Sequence, residues 1–238
     1  SFEQYKNLNA QLGLEVSIDS LTTDGSASKS LKKQEGTFNE LAGTYGFSYD
    51  RRNRSFMPTD GYILGFEQNV PLYADKKYLE STILASKYKS MSENVIGASK
   101  FYISAIKGLD DDDVRLSKRK FVRGSRLRGF KSGKVGPKDG TDHVGGNYTA
   151  ALNFEANFPT LLPESTKTDI NLFLDFGNVW GVDYDNNIDD SNKIRSSTGA
   201  AASWASPLGP MTFILSTNLA KASTDQTEGF NFNLGTTF

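Results

Sequence analysis

The chain has 238 residues, of which 37% are hydrophobic and 12% aromatic, with a mean hydropathy of -0.46 and a formal net charge of -1. No stretch approaches the roughly 18 apolar residues that a membrane-spanning helix needs, which excludes helical insertion but not insertion by strands. The near-neutral charge gives no general preference for nucleic acid, and the absence of cysteine excludes disulfides and thiolate metal sites.

The pattern of the chain predicts an all-β protein. No segment shows sustained helical periodicity, and turn residues recur at short intervals. The predicted strands are ten antiparallel segments at about residues 7–19, 40–50, 61–70, 77–90, 94–107, 147–158, 169–180, 197–205, 210–218 and 229–238. Most of them have about the nine to eleven residues that a tilted strand needs to cross a bilayer.

Two segments alternate clearly between apolar and polar side chains, which point to opposite faces of a strand. In TDINLFLDFGNVW one face is apolar, and the other carries Asn171, Asp175 and Gly177. In NYTAALNFEANF the polar face includes Asn153 and Glu155. Each segment is therefore predicted to separate an apolar environment from a polar one.

The end of the chain alternates in the same way and stops on an aromatic residue. Its apolar face consists of Phe230, Phe232, Leu234 and Phe238. Its other face carries small or polar residues, among them Asn231, Asn233 and Gly235. Chain ends are ordered only where something holds them, so we expect this segment to be built into a sheet.

The connections favour a transmembrane barrel over a soluble β-sandwich. Long polar loops alternate with shorter turns, and the longest connection covers about residues 108–146. Long loops on one rim, short turns on the other and aromatic residues near strand ends are typical of outer-membrane barrels. A sandwich explains the alternation of any single strand. The ten strands together, the aromatic terminus and the loop asymmetry favour the barrel. The predicted outward aromatics near strand ends are Tyr148, Trp180, Trp204 and Phe238.

Groups suited to catalysis or metal binding are sparse. His143 is the only histidine, so neither a metal cluster nor a catalytic triad has the residues it requires. DYDNNIDDSNK resembles a calcium loop only superficially, because Ile188 replaces the glycine and Ile194 takes the twelfth position. The four aspartates at 110–113 are interpreted as a solvated loop tip. We expect no enzymatic activity, no cofactor and no metal site.

The stretch KFVRGSRLRGFKSGKVGPKDGTDHVGGN, inside the long connection, carries a resemblance to a known family. Leu127-Arg128-Gly129-Phe130 is similar to the Val/Leu-Arg-Gly-Phe/Tyr lid-loop motif of the outer-membrane assembly factors, the BamA-type bacterial surface antigens. The sequence GPK follows that motif, as in relatives. The match continues through VGGN, LDFGNVW and SPLGP to the terminal aromatic, and YDRRNRSFMPTDGY resembles a periplasmic turn of that barrel. These blocks occur in the family's order over about residues 40–238.

The resemblance implies a sixteen-stranded outer-membrane barrel preceded by periplasmic domains. Residues 1–238 would then be a single domain, the C-terminal ten strands of that barrel, with a lid loop at about 108–146. A complete ten-stranded barrel is the alternative, since bacterial barrels use even strand numbers.

The resemblance also implies an insertase of the bacterial outer membrane. It would fold other barrel proteins through an openable strand seam, with lipid, unfolded outer-membrane proteins and periplasmic accessory lipoproteins as partners. The terminal strand, ending at Phe238, would form one side of the seam, and Gly235 would weaken its packing. A polypeptide-exporting pore is the first alternative, followed by a passive porin and a soluble binding module.

The long connection is rich in basic residues. The ten lysines and arginines between 115 and 138 are Arg115, Lys118, Arg119, Lys120, Arg123, Arg126, Arg128, Lys131, Lys134 and Lys138. Most of them are interpreted as a solvated basic loop. Nucleic-acid binding is disfavoured, because no aromatic residues are interleaved as stacking platforms.

Arg128 is interpreted differently from the other basic residues. Gly129 permits a sharp turn after it, and Phe130 can pack against a wall. An arginine inside a barrel must pair with carboxylates, since an unpaired buried charge costs several kcal/mol. Asp175 and Glu155 have inward parity and match acidic positions of the family's motif strands. We predict that Arg128 binds Asp175 bidentately, with Glu155 nearby, and holds the lid inside the lumen.

Overall fold

One antiparallel sheet dominates the computed structural model, which describes residues 6–55, 57–185, 187–188, 193–206 and 209–234. Its ten strands are ordered as in the chain. They are β1 (Leu8–Leu21), β2 (Gly36–Asp50), β3 (Gly61–Ala74), β4 (Tyr78–Ser92), β5 (Val95–Gly108), β8 (Tyr148–Phe158), β9 (Thr168–Trp180), β10 (Arg195–Ser206), β11 (Gly209–Ala220) and β12 (Phe230–Leu234). The predicted all-β fold with ten antiparallel strands is confirmed.

Little other regular structure accompanies the sheet. Two short strands, β6 (Lys138–Asp139) and β7 (Asp142–His143), pair with each other within the connection between β5 and β8. A one-turn α-helix covers Lys29–Lys32, and 3-10 turns cover Leu116–Lys118 and Glu164–Thr166. None of the helices in the described ranges is long and apolar enough to cross a membrane.

The two faces of the sheet meet different environments. On β9, Phe173 is 3% exposed and Asp175 is fully buried, whereas Leu172, which precedes them and points to the opposite face, is 50% exposed. Phe232 on β12 is 46% exposed. The apolar outer face is therefore not covered by a second sheet in the described part of the chain. The soluble sandwich is excluded, and the inner face holds the polar groups, as in a barrel lumen.

The connections divide the sheet into an upper and a lower rim. The upper rim carries residues 22–35, 75–77, 109–147, 181–185, 187–188, 193–194 and 221–229. The lower rim carries residues 51–55, 57–60, 93–94 and 159–167. We call residues 109–147 the lid loop and residues 221–229 the last loop. In outer-membrane barrels the longer loops are extracellular and the shorter turns periplasmic, which assigns the lower rim to the periplasm.

The upper-rim loops pack against one another. Leu31, Val144 and Val182 belong to three different connections and form one buried cluster. Ser28 Oγ also donates a hydrogen bond of 2.5 Å to Asp139 Oδ2 in the lid loop. The loops thus form a common cap that closes over the inner face of the sheet.

The edges of the sheet are β1 and β12. Within the described residues β12 pairs with β11 over five register positions, and it pairs with no strand other than β11. Gly235 and Phe238, which were predicted to belong to the terminal strand, lie outside the described residues.

Candidate lid site in the lumen

The lid loop enters the lumen and is held there by a small apolar core. Val122, Leu127, Phe130 and Val135 from the lid loop form a buried cluster with Val179 of β9. The site therefore begins with ordinary hydrophobic packing, which brings the lid-loop motif against the barrel wall.

Arg128 lies on the carboxylates that the sequence assigned to the lumen. Its Nε is 2.7 Å from Asp175 Oδ2, and its Nη2 is 2.6 Å from Asp175 Oδ1. The Arg128 backbone N–H also donates to Asp175 Oδ2 at 3.0 Å. Nη2 lies 3.1 Å from Glu155 Oε1. Two parallel N–H···O bonds fix the plane of the guanidinium as well as its position, which a lysine could not do.

The surrounding groups complete a charge-balanced network. Lys100 Nζ of β5 contacts Glu155 Oε2 at 2.8 Å, so two cations face two carboxylates. Asn153 Nδ2 bonds Asp175 Oδ1 at 2.8 Å and also the Arg126 carbonyl at 2.8 Å. Because each buried charge has a partner, the network avoids the penalty of an isolated ion in a low-dielectric site.

Arg128 is also enclosed from its other sides. Its Cζ lies 3.8 Å from the centroid of the Phe173 ring, a cation–π contact. Its carbonyl accepts a hydrogen bond from Ser197 Oγ. Burial opposes the charged form, but the bonds and charges of Asp175 and Glu155 outweigh it and raise the pKa of Arg128 above its ordinary value. The guanidinium is charged at all physiological pH values.

Gly129 allows the turn that follows the arginine. Its φ is +87°, and a Cβ there would lie 3.2 Å from Asn218 Nδ2 and Ser216 Oγ. The Gly129 carbonyl accepts a bond of 2.9 Å from Asn218 Nδ2 of β11. Both the backbone conformation and the close approach to β11 therefore require glycine.

The tip of the lid loop is bonded to the last loop, which leads into β12. Lys131 N–H donates to the Gln226 carbonyl, and Glu228 N–H donates to the Gly129 carbonyl, both at 3.0 Å. Phe130 and Thr227 form an antiparallel bridge between these bonds. The lid loop and the last loop thus share a short piece of β-ladder directly above β12.

A second ion pair, which sequence reasoning missed, holds the last loop to the wall. Arg195 Nε and Nη2, at the start of β10, each lie 2.9 Å from a carboxylate oxygen of Asp225. Both side chains have no solvent exposure. Asn178 Oδ1 accepts a further bond of 2.7 Å from Arg195 Nη1. Asp225 lies in a polar loop with no periodicity, and the strand predicted at 197–205 began two residues after Arg195, so no local signal connected them.

A third network closes the base of the lid loop. Arg119 pairs with Asp183 and bonds Asn147 Oδ1 at 3.1 Å. Asp183 Oδ2 accepts from Asn147 Nδ2 at 2.9 Å and from Val114 N–H at 2.8 Å. Burial opposes ionisation of Asp183, but these hydrogen bonds and the Arg119 charge together lower its pKa below the ordinary value.

The interpretation of most lid-loop cations as a solvated basic loop is wrong. Of the nine cations other than Arg128, which was interpreted separately, four contact carboxylates. The pairs are Arg115–Asp19, Lys118–Glu40, Arg119–Asp183 and Lys120–Glu80. Arg126 stacks over the Tyr102 ring at 3.5 Å. Asp19, Glu40 and Glu80 stand on strands distant in sequence, and Asp183 lies in the connection after β9. The folded lid loop lies among these carboxylates, so its charges form ion pairs instead of being solvated.

The remaining candidate groups take no part in such a site. Asp110 and Asp112 of the acidic loop tip pair with Lys77 and Lys76. No group of three metal-ligating side chains occurs within the residues that the structure describes. Residues 186 and 189–192 of the calcium-like segment lie outside those residues. The expected absence of enzymatic activity stays a prediction.

An uncovered apolar outer face, a charged inner face and a long loop bound inside together define part of the wall of an outer-membrane β-barrel. The chain belongs to the Omp85 superfamily, because the model of the Omp85 superfamily domain matches residues 1–238.

Individual relatives agree with this family. The chain is 28% identical over 230 residues to the outer membrane protein assembly factor BamA of Neisseria meningitidis serogroup B, covering 82% of this chain and 28% of that protein. It is 27% identical over 244 residues to BamA of Neorickettsia risticii, covering 100% of this chain and 33% of that protein. A SAM50-like protein of Schizosaccharomyces pombe is 28% identical over 232 residues, which cover 89% of this chain and 47% of that protein.

A solved structure has the same fold. The crystal structure of BamA from Haemophilus ducreyi lacking POTRA domains 1–3 superposes with a TM-score of 0.84 at 23% identity, covering 95% of this chain and 51% of that chain. The chain spans about a third or less of the length of the two BamA relatives. The predicted resemblance to the BamA-type family and the outer-membrane location are confirmed.

Proposed function

We propose that this chain is the barrel part of an assembly factor that folds other β-barrel proteins into the outer membrane. Its similarity to proteins named as outer-membrane assembly factors supports this function. The single structural observation that carries the proposal is the short β-ladder between the lid loop and the last loop, because it joins the loop inside the lumen to the segment that leads into β12.

The edge of β12 provides a physical route to insertion. Backbone N–H and C=O groups cannot stay unpaired in lipid, where each costs several kcal/mol. A strand at a seam that can open therefore exchanges partners and templates an incoming strand by β-augmentation. Proteins that approach as unfolded chains with barrel-forming strands are the matching substrates, and no covalent chemistry is needed.

The lid loop gives the proposed seam a means of control. Its tip shares a β-ladder with the last loop, and β12 starts at the end of that loop. Arg128 in turn fixes the lid to β9. Displacing the lid would therefore release the upper end of β12, which couples the lumen to the seam.

Reconstitution of the parent protein in liposomes tests the function. We expect it to accelerate the folding of an unfolded outer-membrane barrel, measured as the heat-modifiable band on a gel. Empty liposomes, and liposomes holding a porin at equal protein mass, are the controls. Folding no faster than in the porin control would overturn the proposal. A steady ion conductance with an intact lid, without any acceleration, would favour the exporting pore.

Cysteine crosslinking tests the seam separately, because the chain has no native cysteine. Asn233→Cys on β12 should form disulfides with a cysteine placed in a terminal strand of the substrate. Ser203→Cys is the matched control, since β10 has a paired strand on each side. Equal crosslinking at both positions would rule out the β12 edge as the template.

A disulfide between lid and last loop tests the control step. Lys131→Cys with Gln226→Cys joins two exposed residues whose backbones are already bonded. We expect oxidation to stop substrate folding and reduction to restore it. Thr82→Cys with Ser104→Cys, across the paired strands β4 and β5, is the control that oxidation should leave active.

A further inference from the structure

A cationic patch lies on the outer surface of the sheet, toward the lower rim. Lys87 and Lys89 of β4 are two residues apart, so they point to the same face. Register fixes that face as the outer one, because the adjacent Ser86 is paired with Lys100, whose ammonium contacts Glu155 in the lumen. Both lysines are exposed, and neither forms an ion pair within the residues that the structure describes.

Aromatic residues place this patch at the membrane boundary. Tyr62 is the second residue of β3 and the register partner of Lys87. The Tyr62 ring lies 6.1 Å from the Tyr49 ring, and Arg51 Nη1 donates to the Tyr49 hydroxyl at 3.3 Å. Tyrosine is enriched at membrane–water interfaces. An outward lysine is far less costly there than at the bilayer midplane, so the lysines mark the headgroup level of the periplasmic leaflet.

The surface beside the lysines is apolar. On β5, the register partners of the two lysines are the small residues Ser99 and Gly97. The exposed Met91 side chain lies against Gly97, and Phe154, which is 43% exposed, is the register partner of Ser99 on β8. A charged headgroup can therefore reach the exposed lysines while an acyl chain lies along Met91 and Phe154.

We propose that Lys87 and Lys89 bind the phosphate of an anionic phospholipid in the periplasmic leaflet, with Arg51, which bonds the neighbouring Tyr49, as a further cation of this surface. Within the described part of the chain none of these three cations pairs with a carboxylate, so they complement a headgroup that carries net negative charge. Lysine stems cover apolar surface while their ammonium groups reach the interface, as the lipid-facing position demands. A zwitterionic headgroup would cancel most of this attraction, so the patch selects by net charge.

Native mass spectrometry of the detergent-solubilised parent protein tests the site, with phosphatidylglycerol, phosphatidylcholine or inorganic phosphate as the added probe. We expect phosphatidylglycerol to bind more tightly than phosphatidylcholine. Lys87→Gln with Lys89→Gln should weaken its binding roughly thirtyfold, the product of two surface-lysine contributions. Lys87→Arg with Lys89→Arg should retain binding, which separates loss of charge from damage to the fold.

The matched control is Lys107→Gln. Lys107 is an exposed residue of β5 near the upper rim, and its register partner is Leu79. This substitution should leave phosphatidylglycerol binding unchanged. Equal binding of the two lipids, an equal loss with Lys107→Gln, or displacement of the lipid by millimolar inorganic phosphate would each overturn the assignment. Lipid binding is measured without any folding activity. The lipid-site proposal can therefore fail while the insertase proposal holds, and the reverse.

Discussion

Arg195 and Asp225 form a bidentate ion pair in which neither side chain is exposed to solvent. The pair joins the first residue of β10 to the last loop and therefore holds the segment that leads into β12. Asp225 Oδ2 also accepts a bond of 2.6 Å from Ala222 N–H, so the carboxylate shapes the loop as well as anchoring it.

Breaking this pair from one side should strongly destabilise the barrel. We expect Asp225→Ala to lower the free energy of unfolding by roughly 3–5 kcal/mol, because it removes the bidentate bonds that the buried Arg195 guanidinium makes to this carboxylate. Guanidinium unfolding of the vesicle-inserted barrel, followed by tryptophan fluorescence, measures it. Lys77→Ala, at an exposed ion pair with Asp110, should cause no measurable change. Similar effects at the two sites would contradict the difference in burial.

The Arg128 network should require arginine and not merely a positive charge. Arg128→Lys keeps the charge but loses the paired N–H···O bonds to Asp175, so we expect the lid to loosen. Trypsin cleavage at the exposed Lys131 and Lys134 measures this, and the cleavage rate should rise. Arg123→Lys, at an exposed lid position, is the control.

A double-mutant cycle tests whether Arg128 and Asp175 act as a unit. Arg128→Ala and Asp175→Ala should each lower the free energy of unfolding by roughly 3–5 kcal/mol, since each leaves a buried charge. The double substitution should cost clearly less than the sum of the two. Additive losses in the free energy of unfolding would mean that Arg128 and Asp175 have no interaction energy with each other.

Gly129 should not tolerate a side chain. Gly129→Ala forces an L residue to a φ of +87° and places its Cβ 3.2 Å from Ser216 Oγ. We expect a loss of about 1–3 kcal/mol in the free energy of unfolding, together with faster trypsin cleavage of the lid. Gly124→Ala is the matched control, because its nearest atoms are 3.9 Å away and its φ is not positive. A neutral Gly129→Ala would exclude strain at this turn.

Protonation of His143 should lower the free energy of unfolding as the pH falls. Burial is the main cause that lowers the pKa of His143 below 6.5. Nε2 lies 3.1 Å from the Thr224 carbonyl oxygen, whereas Nδ1 is buried without a partner, so the folded state favours the neutral ring. The unfolded chain therefore takes up a proton first. The contribution of His143 is complete above pH 6.5 and is lost as pH falls through the folded-state pKa.

The pH profile of unfolding, compared between the native chain and His143→Gln, measures this effect. Since His143 is the only histidine, the difference between the two profiles between pH 7.5 and the onset of carboxylate titration belongs to one group. Parallel profiles would mean that the protonated ring is accommodated in the folded lid.

Parity predicted the orientation of the strands, and parity together with the lid-loop motif of the resembling family predicted one of the three ion networks. Asp175 and Glu155 stand at inward positions of clearly alternating strands, so their meeting with Arg128 was predictable. The partner of Arg195 was not, because Asp225 lies in a loop where side-chain direction has no period. The same limit explains the solvated-loop error. Lys118 and Lys120 pair with Glu40 and Glu80, residues whose proximity depends on how the lid loop folds back over distant strands.

By itself the sequence determined an apolar exterior and a polar lumen, because strand periodicity is local and repeats every two residues. Only the tertiary structure decided that the lid loop is bonded to the last loop above β12, and that Lys87 and Lys89 stand beside Tyr62 on the outer face. Those relationships depend on register and on contacts between segments far apart in the chain. The energy of such contacts is set by burial and geometry, which no local pattern records.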